Sequence, residues 1–154
     1  MNESELSTGT IAAVVVGALA ILVSGWVHFY LYFRGGYRGI APDSVLGLTI
    51  SRSFALNAVA AVVIAEALVL ALRYRALLLP AAAVGAGFAV ATLVAYSLSR
   101  TRGLLGFEET ATTTEAVIGM VAETIALVTL APVAINARRR QRGTGSATSS
   151  TLST

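Results

Sequence analysis

With 56% hydrophobic and only 12% charged residues over 154 positions, and a mean hydropathy of +0.77, the chain cannot present the polar surface that a water-soluble domain needs. Cysteine is absent, which excludes disulfides, thiolate metal sites and thiol redox chemistry. The net charge of +3 rests on eleven arginines placed at helix ends, so it reads as topology and anionic-lipid contact, and nucleic-acid binding has no support.

The expected architecture is all-α: an up-and-down bundle of four transmembrane helices over 10–135, after a short segment 1–9 and before a tail 136–154. Helix one is predicted over 10–33. No formally charged residue falls between Thr10 and Phe33, and this stretch reaches roughly 36 Å, enough to cross a ~30 Å hydrocarbon core with tilt. Glu3 and Glu5 precede it where a cleaved signal peptide would carry basic residues, so the span is read as retained. Gly35, Gly36, Gly39 and Pro42 then turn the chain back.

Helix two is predicted over 45–72 and carries Arg52, Asn57 and Glu66, the most polar set of any span. Arg73 and Arg75 end it, and helix three follows at once over 76–98, so the two form an antiparallel hairpin. Two ridges of small residues run along helix three, Ala83, Gly87, Ala91 and Ala95 on one and Ala81, Gly85 and Ala89 on the other. Such ridges admit another backbone closely, and they predict a helix inside the bundle. After a polar loop over 99–112, helix four is predicted over 113–135. The tail from Arg138 is Arg-rich and then Gly-, Ser- and Thr-rich, a composition that cannot repay the entropy of ordering and predicts disorder. Arg73, Arg75 and the four tail arginines outnumber the five on the opposite side, which places both termini in the cytoplasm, in the cytoplasmic membrane.

Ionisable groups inside spans are costly and so mark candidate sites. Arg52, Glu66 and Arg73 are spaced by fourteen and seven residues and lie along one stripe of helix two. Glu123 falls near the midpoint of helix four, where a carboxylate is hardest to hydrate, with Asn57 at similar depth as its expected partner. The simplest role is a neutral carboxyl hydrogen-bonded across the bundle to hold two helices in register; proton relay or ligand binding is the alternative. His28 lies below Tyr30, Tyr32 and Phe33, with Arg52 and Glu115 as its expected neighbours by depth. That outer cluster has the chemistry to take an anionic or quinone-like group, although an interfacial histidine in an aromatic belt explains the same residues. One histidine, no cysteine and scattered carboxylates give no ligand set for haem, zinc or diiron, and no cofactor is expected. No phosphate-binding glycine loop or nucleophile elbow is present in the sequence.

The runs His28-Phe29-Tyr30-Leu31-Tyr32, Gly36-Tyr37-Arg38-Gly39-Ile40, Leu56-Asn57-Ala58-Val59, Gly103-Leu104-Leu105-Gly106-Phe107-Glu108-Glu109 and Val121-Ala122-Glu123 resemble a group of four-helix membrane proteins of actinobacteria that carries no assigned activity. The resemblance spans about 10–135 and implies the same fold and compartment. It departs at Ala41, which separates Ile40 from Pro42. It also implies that His28, Tyr37, Arg38, Asn57, Glu108 and Glu123 are the polar positions of interest. The leading functional expectation is a non-enzymatic accessory or interaction protein, working on a membrane partner or as a homo-oligomer within the lipid bilayer. The alternative is a small proton-coupled carrier, or a binder of a lipid- or quinone-like ligand, built on His28, Tyr37, Arg38, Arg52, Asn57, Glu115 and Glu123.

Overall fold

A computed structural model describes residues 6–40, 47–105 and 107–149, with side chains through Arg142. It is an all-α, up-and-down bundle of four long helices: α1 (Thr8–Arg34), α2 (Ile50–Arg73), α3 (Leu78–Thr101) and α4 (Thr114–Ser149). Each is long and apolar enough to cross a bilayer, which makes this a multi-pass membrane protein. The α1–α2 and α3–α4 connections lie at one end of the bundle, here the loop end. The α2–α3 turn and both chain ends lie at the other, the terminal end.

Local chemistry sets the helix boundaries. Ser7 caps α1, its Oγ accepting from Thr10 N at 3.2 Å, and Thr49 caps α2 in the same way through Arg52 N. α1 stops at Gly35–Gly36 because Gly36 takes φ +83°, a left-handed conformation that no continuing helix tolerates. α2 starts at Ile50, later than 45, and 41–46 lie outside the described residues. Between α2 and α3 only Tyr74 and a 3₁₀ turn at Arg75–Leu77 intervene. Pro80 sits in the first turn of α3, where its missing N–H is one that no helix satisfies. α4 continues beyond 135 through the arginines.

Around the bundle, α1 packs along α2 on one side and α4 on the other, and α3 packs along α4. The α2–α3 seam is the thinnest of the four sides. α1 and α3 approach only across the diagonal, and the α2 and α4 backbones make no close approach. The most buried helix is therefore α1, not α3: α1 buries 44% of its spanning stretch against 28% for α3. Only one α3 ridge faces inward. Ala81, Gly85 and Ala89 are buried, while Ala83, Gly87 and Ala91 face out.

The terminal half of the interior is apolar and closed. Leu130 of α4, fully buried, sits in a notch between two glycines: a Cβ on Gly17 of α1 would fall 2.6 Å from its side chain and one on Gly85 of α3 would fall 2.7 Å away. Val14, Ile21 and Leu68, all at 0% exposure, fill the space around it.

Candidate functional site

Polar side chains gather in the loop half of the bundle. Ser24, Asn57, Thr92 and Glu123, one from each helix, stand seven to ten residues from the loop end of their helices, a depth of roughly 10–15 Å. Glu123 is 4% exposed, and its Oε1 accepts a 2.9 Å hydrogen bond from the Ser24 hydroxyl, itself 1% exposed. The Thr92 hydroxyl donates to the Phe88 and Ala89 carbonyls at 3.0 Å each and also interacts with the Glu123 carboxyl. Glu123 thus ties α4 to α1 through the Ser24 bond and lies near Thr92 of α3.

The expected partner, Asn57, is not among these contacts. α2 and α4 stand diagonally across the bundle with no close backbone approach, and no hydrogen bond joins Asn57 to Glu123 despite their similar depth. Asn57 is half-buried and makes no hydrogen bond among the described residues.

One turn toward the loop end, His28 Nδ1 lies 2.9 Å from the Ser24 carbonyl oxygen. A carbonyl only accepts, so Nδ1 carries the proton and donates, leaving Nε2 with the lone pair. The ring packs on Phe54 of α2 with centroids 5.2 Å apart. Neither expected neighbour reaches it. Arg52 points away from the interior and donates through Nη1 to the Gly47 carbonyl at 2.6 Å, and Glu115 stays in the first turn of α4. The contact through Phe54 extends outward, since Tyr37 stacks on Phe54 at 4.4 Å and meets Phe107 edge-on at 5.4 Å.

Tyr37 joins the two loops. Its hydroxyl donates to Glu109 Oε2 at 2.5 Å, while Glu109 N donates to the Ser99 carbonyl and Arg100 donates to the Glu109 carbonyl. Phe107 is set in place by a tight turn in which Leu104 and Phe107 exchange both backbone hydrogen bonds and Leu105 takes φ +49°. Burial and the hydrogen bond to Glu109 push the Tyr37 phenol above its ordinary pKa. The result is a continuous column from the loops to mid-bundle: Glu109, Tyr37, Phe54, His28, Ser24, Glu123.

Of the seven site residues expected from the sequence, the column brings together His28, Tyr37 and Glu123. Arg38 and Arg52 meet elsewhere, at a surface cavity shared with Tyr32. Asn57 and Glu115 join neither. Glu108 is exposed, and the neighbouring Glu109 holds the loops instead. Sequence reasoning missed Ser24, Phe54 and Thr92, which have the ordinary appearance of spanning residues. No group of three His, Cys, Asp or Glu side chains converges as metal ligands among the described residues.

Arg52, Glu66 and Arg73 do share one stripe of α2, and all three are exposed on the face turned away from the bundle. Glu66 lies among the exposed Val59, Val62, Val63, Val69 and Leu70 and makes no hydrogen bond or ion pair among the described residues. Comparison with protein-family models, with curated proteins and with solved structures finds no match for this chain.

Proposed function

We propose that this chain is a non-enzymatic accessory protein of the cytoplasmic membrane, with both termini in the cytoplasm, which acts by pairing its lipid-facing surface with another membrane protein or a second copy. Glu66 is the observation that carries this reading. It stands seven residues inside Arg73, roughly 10 Å from that end of the helix, with the exposed apolar Val59, Val62, Val63, Val69 and Leu70 around it. Lipid tails cannot satisfy a carboxyl, and ionisable groups in spans almost always face a bundle interior or a water-filled cavity and pair there. A helix presenting a donor at that depth would satisfy Glu66.

The competing carrier reading requires a path between the two faces. The interior polar residues lie in the loop half, and Leu130, seated between Gly17 and Gly85, closes the other half. Polarity on one side only favours a register-holding role for Glu123, with Ser24 and Thr92 satisfying it.

The test is the mass of the assembly in lipid. In nanodiscs made directly from the native membrane, chemical crosslinking and native mass spectrometry should find a dimer or a defined complex, which Glu66→Leu disperses. A strictly monomeric protein with no crosslinked partner would overturn the proposal, as would solute uptake into proteoliposomes that is lost with Glu123→Gln.

A further inference from the structure

At the loop end a cavity of about 470 Å³ opens between the last turn of α1 and the first turn of α2, lined by Tyr32, Arg38, Thr49, Ser51 and Arg52 together with the backbone at Gly39 and Gly47. No acidic side chain lines it among the described residues. We propose that this cavity binds the phosphate of an anionic phospholipid, gripped between the guanidinium groups of Arg38 and Arg52.

Three observations carry the assignment. The first is chemical. The Arg52 guanidinium is fixed by its own loop through the bond from Nη1 to the Gly47 carbonyl, which uses one of its five N–H donors. Arg38 is braced over the Phe33 ring, its Cζ 5.8 Å from the centroid. Two held guanidinium groups with donors not engaged among the described residues match the tetrahedral oxygens of a phosphate. The Tyr32 and Ser51 hydroxyls make no hydrogen bond among the described residues and add two further donors.

The second is depth. The cavity lies where α1 ends and α2 begins, the level at which an apolar helix leaves the hydrocarbon and meets lipid phosphates. The third is what lies beneath it. Leu56 and Val59, four and seven residues after Arg52 and so on the same side of α2, are 59% and 63% exposed, and Phe29, one turn before Tyr32, is 45% exposed. These apolar faces run from the cavity into the membrane and receive acyl chains. A free phosphate would use the arginines alone, whereas a phospholipid uses both surfaces. The inference does not depend on the accessory role: Arg52 shares its stripe of α2 with Glu66, but the cavity lies at the loop end, fourteen residues from Glu66, and is lined by other residues.

The experiment is a titration of the full-length protein, in a phosphate-free detergent, followed by native mass spectrometry with three probes. These are phosphatidylglycerol, a diacylglycerol with the same chains, and inorganic phosphate. Phosphatidylglycerol should bind at least about tenfold more tightly than either of the others. Each of Arg38→Gln and Arg52→Gln should weaken it by about fivefold, and the pair by about 25-fold, from roughly one kcal/mol per arginine. Arg102→Gln, exposed at the same end but outside the cavity, should leave it unchanged. Retention of diacylglycerol to the same extent would reduce the site to an acyl groove, and equal binding of inorganic phosphate would make it a site for a free anion. Either result overturns the proposal, as does phosphatidylglycerol binding that the double variant does not weaken while its far-UV circular dichroism matches wild type.

Discussion

The Ser24–Glu123 bond makes a quantitative claim about what holds the loop half together. Both groups are buried, at 1% and 4% exposure, and the oxygens lie 2.9 Å apart. Hydrogen bonds between spanning helices contribute about 0.6 kcal/mol on average and up to about 1.7. The burial and geometry here place this bond in the upper part of that range, at about 1–1.5 kcal/mol. A double-mutant cycle of Ser24→Ala and Glu123→Ala, measured by reversible unfolding in mixed micelles, isolates the pair. The same cycle with Asn57→Ala in place of Ser24→Ala should give a coupling below about 0.3 kcal/mol, because the α2 and α4 backbones make no close approach. A Ser24–Glu123 coupling near zero would refute the pairing. An Asn57–Glu123 coupling as large as the Ser24 value would refute the helix arrangement itself.

Three further outcomes follow from particular contacts. Gly17→Ala and Gly85→Ala should each cost about 1–3 kcal/mol, since the added methyl group displaces Leu130; Gly87→Ala, with nothing within 4 Å, should be neutral or stabilise by up to about 1 kcal/mol in the same assay. Thr49→Ala should cost about 1 kcal/mol by removing the α2 cap. Because the Tyr37 phenol is raised in the folded state, its contribution is fully present below the ordinary phenol value of about 10 and is lost as pH rises above it. Ultraviolet titration should show a tyrosine ionisation above the ordinary phenol value, and Tyr37→Phe should abolish it.

Hydropathy and helix-breaking residues make the four spans legible, because a bilayer forces every backbone group into a helix and leaves few alternatives. Depth along each helix was equally readable, and it correctly put Glu123 at the level of Asn57. What depth does not contain is the order of helices around the bundle. Asn57 and Glu115 were placed near Glu123 and His28 by level alone; α2 stands diagonally from α4, and Glu115, half-buried in the first turn of α4, makes no hydrogen bond or ion pair among the described residues. Ser24 was invisible for a different reason: a lone serine in an apolar run carries no signal until α1 is known to lie beside α4. The two α3 ridges are indistinguishable by composition, and only the packing of Leu130 against Gly85 separates the inward one. Glu66 was legible as a member of a stripe, yet whether the stripe faces protein or lipid depends on neighbours that periodicity does not name.

The closed terminal half has a consequence that separates a carrier from an accessory protein. In the terminal half Leu130 of α4 fills the space between α1 and α3, with no room for a methyl group at either facing glycine. The natural sequence contains no cysteine, so single substitutions report accessibility without background. Gly39→Cys, exposed at the loop end, should react with a membrane-impermeant thiol reagent from one side only, which also fixes the orientation of the bundle. Leu130→Cys should stay unreactive from both sides with any solute present, because the side chain is fully buried in the close-packed half of the bundle. Solute-dependent labelling of Leu130→Cys would mean that the bundle opens, and the carrier reading would then replace the accessory one.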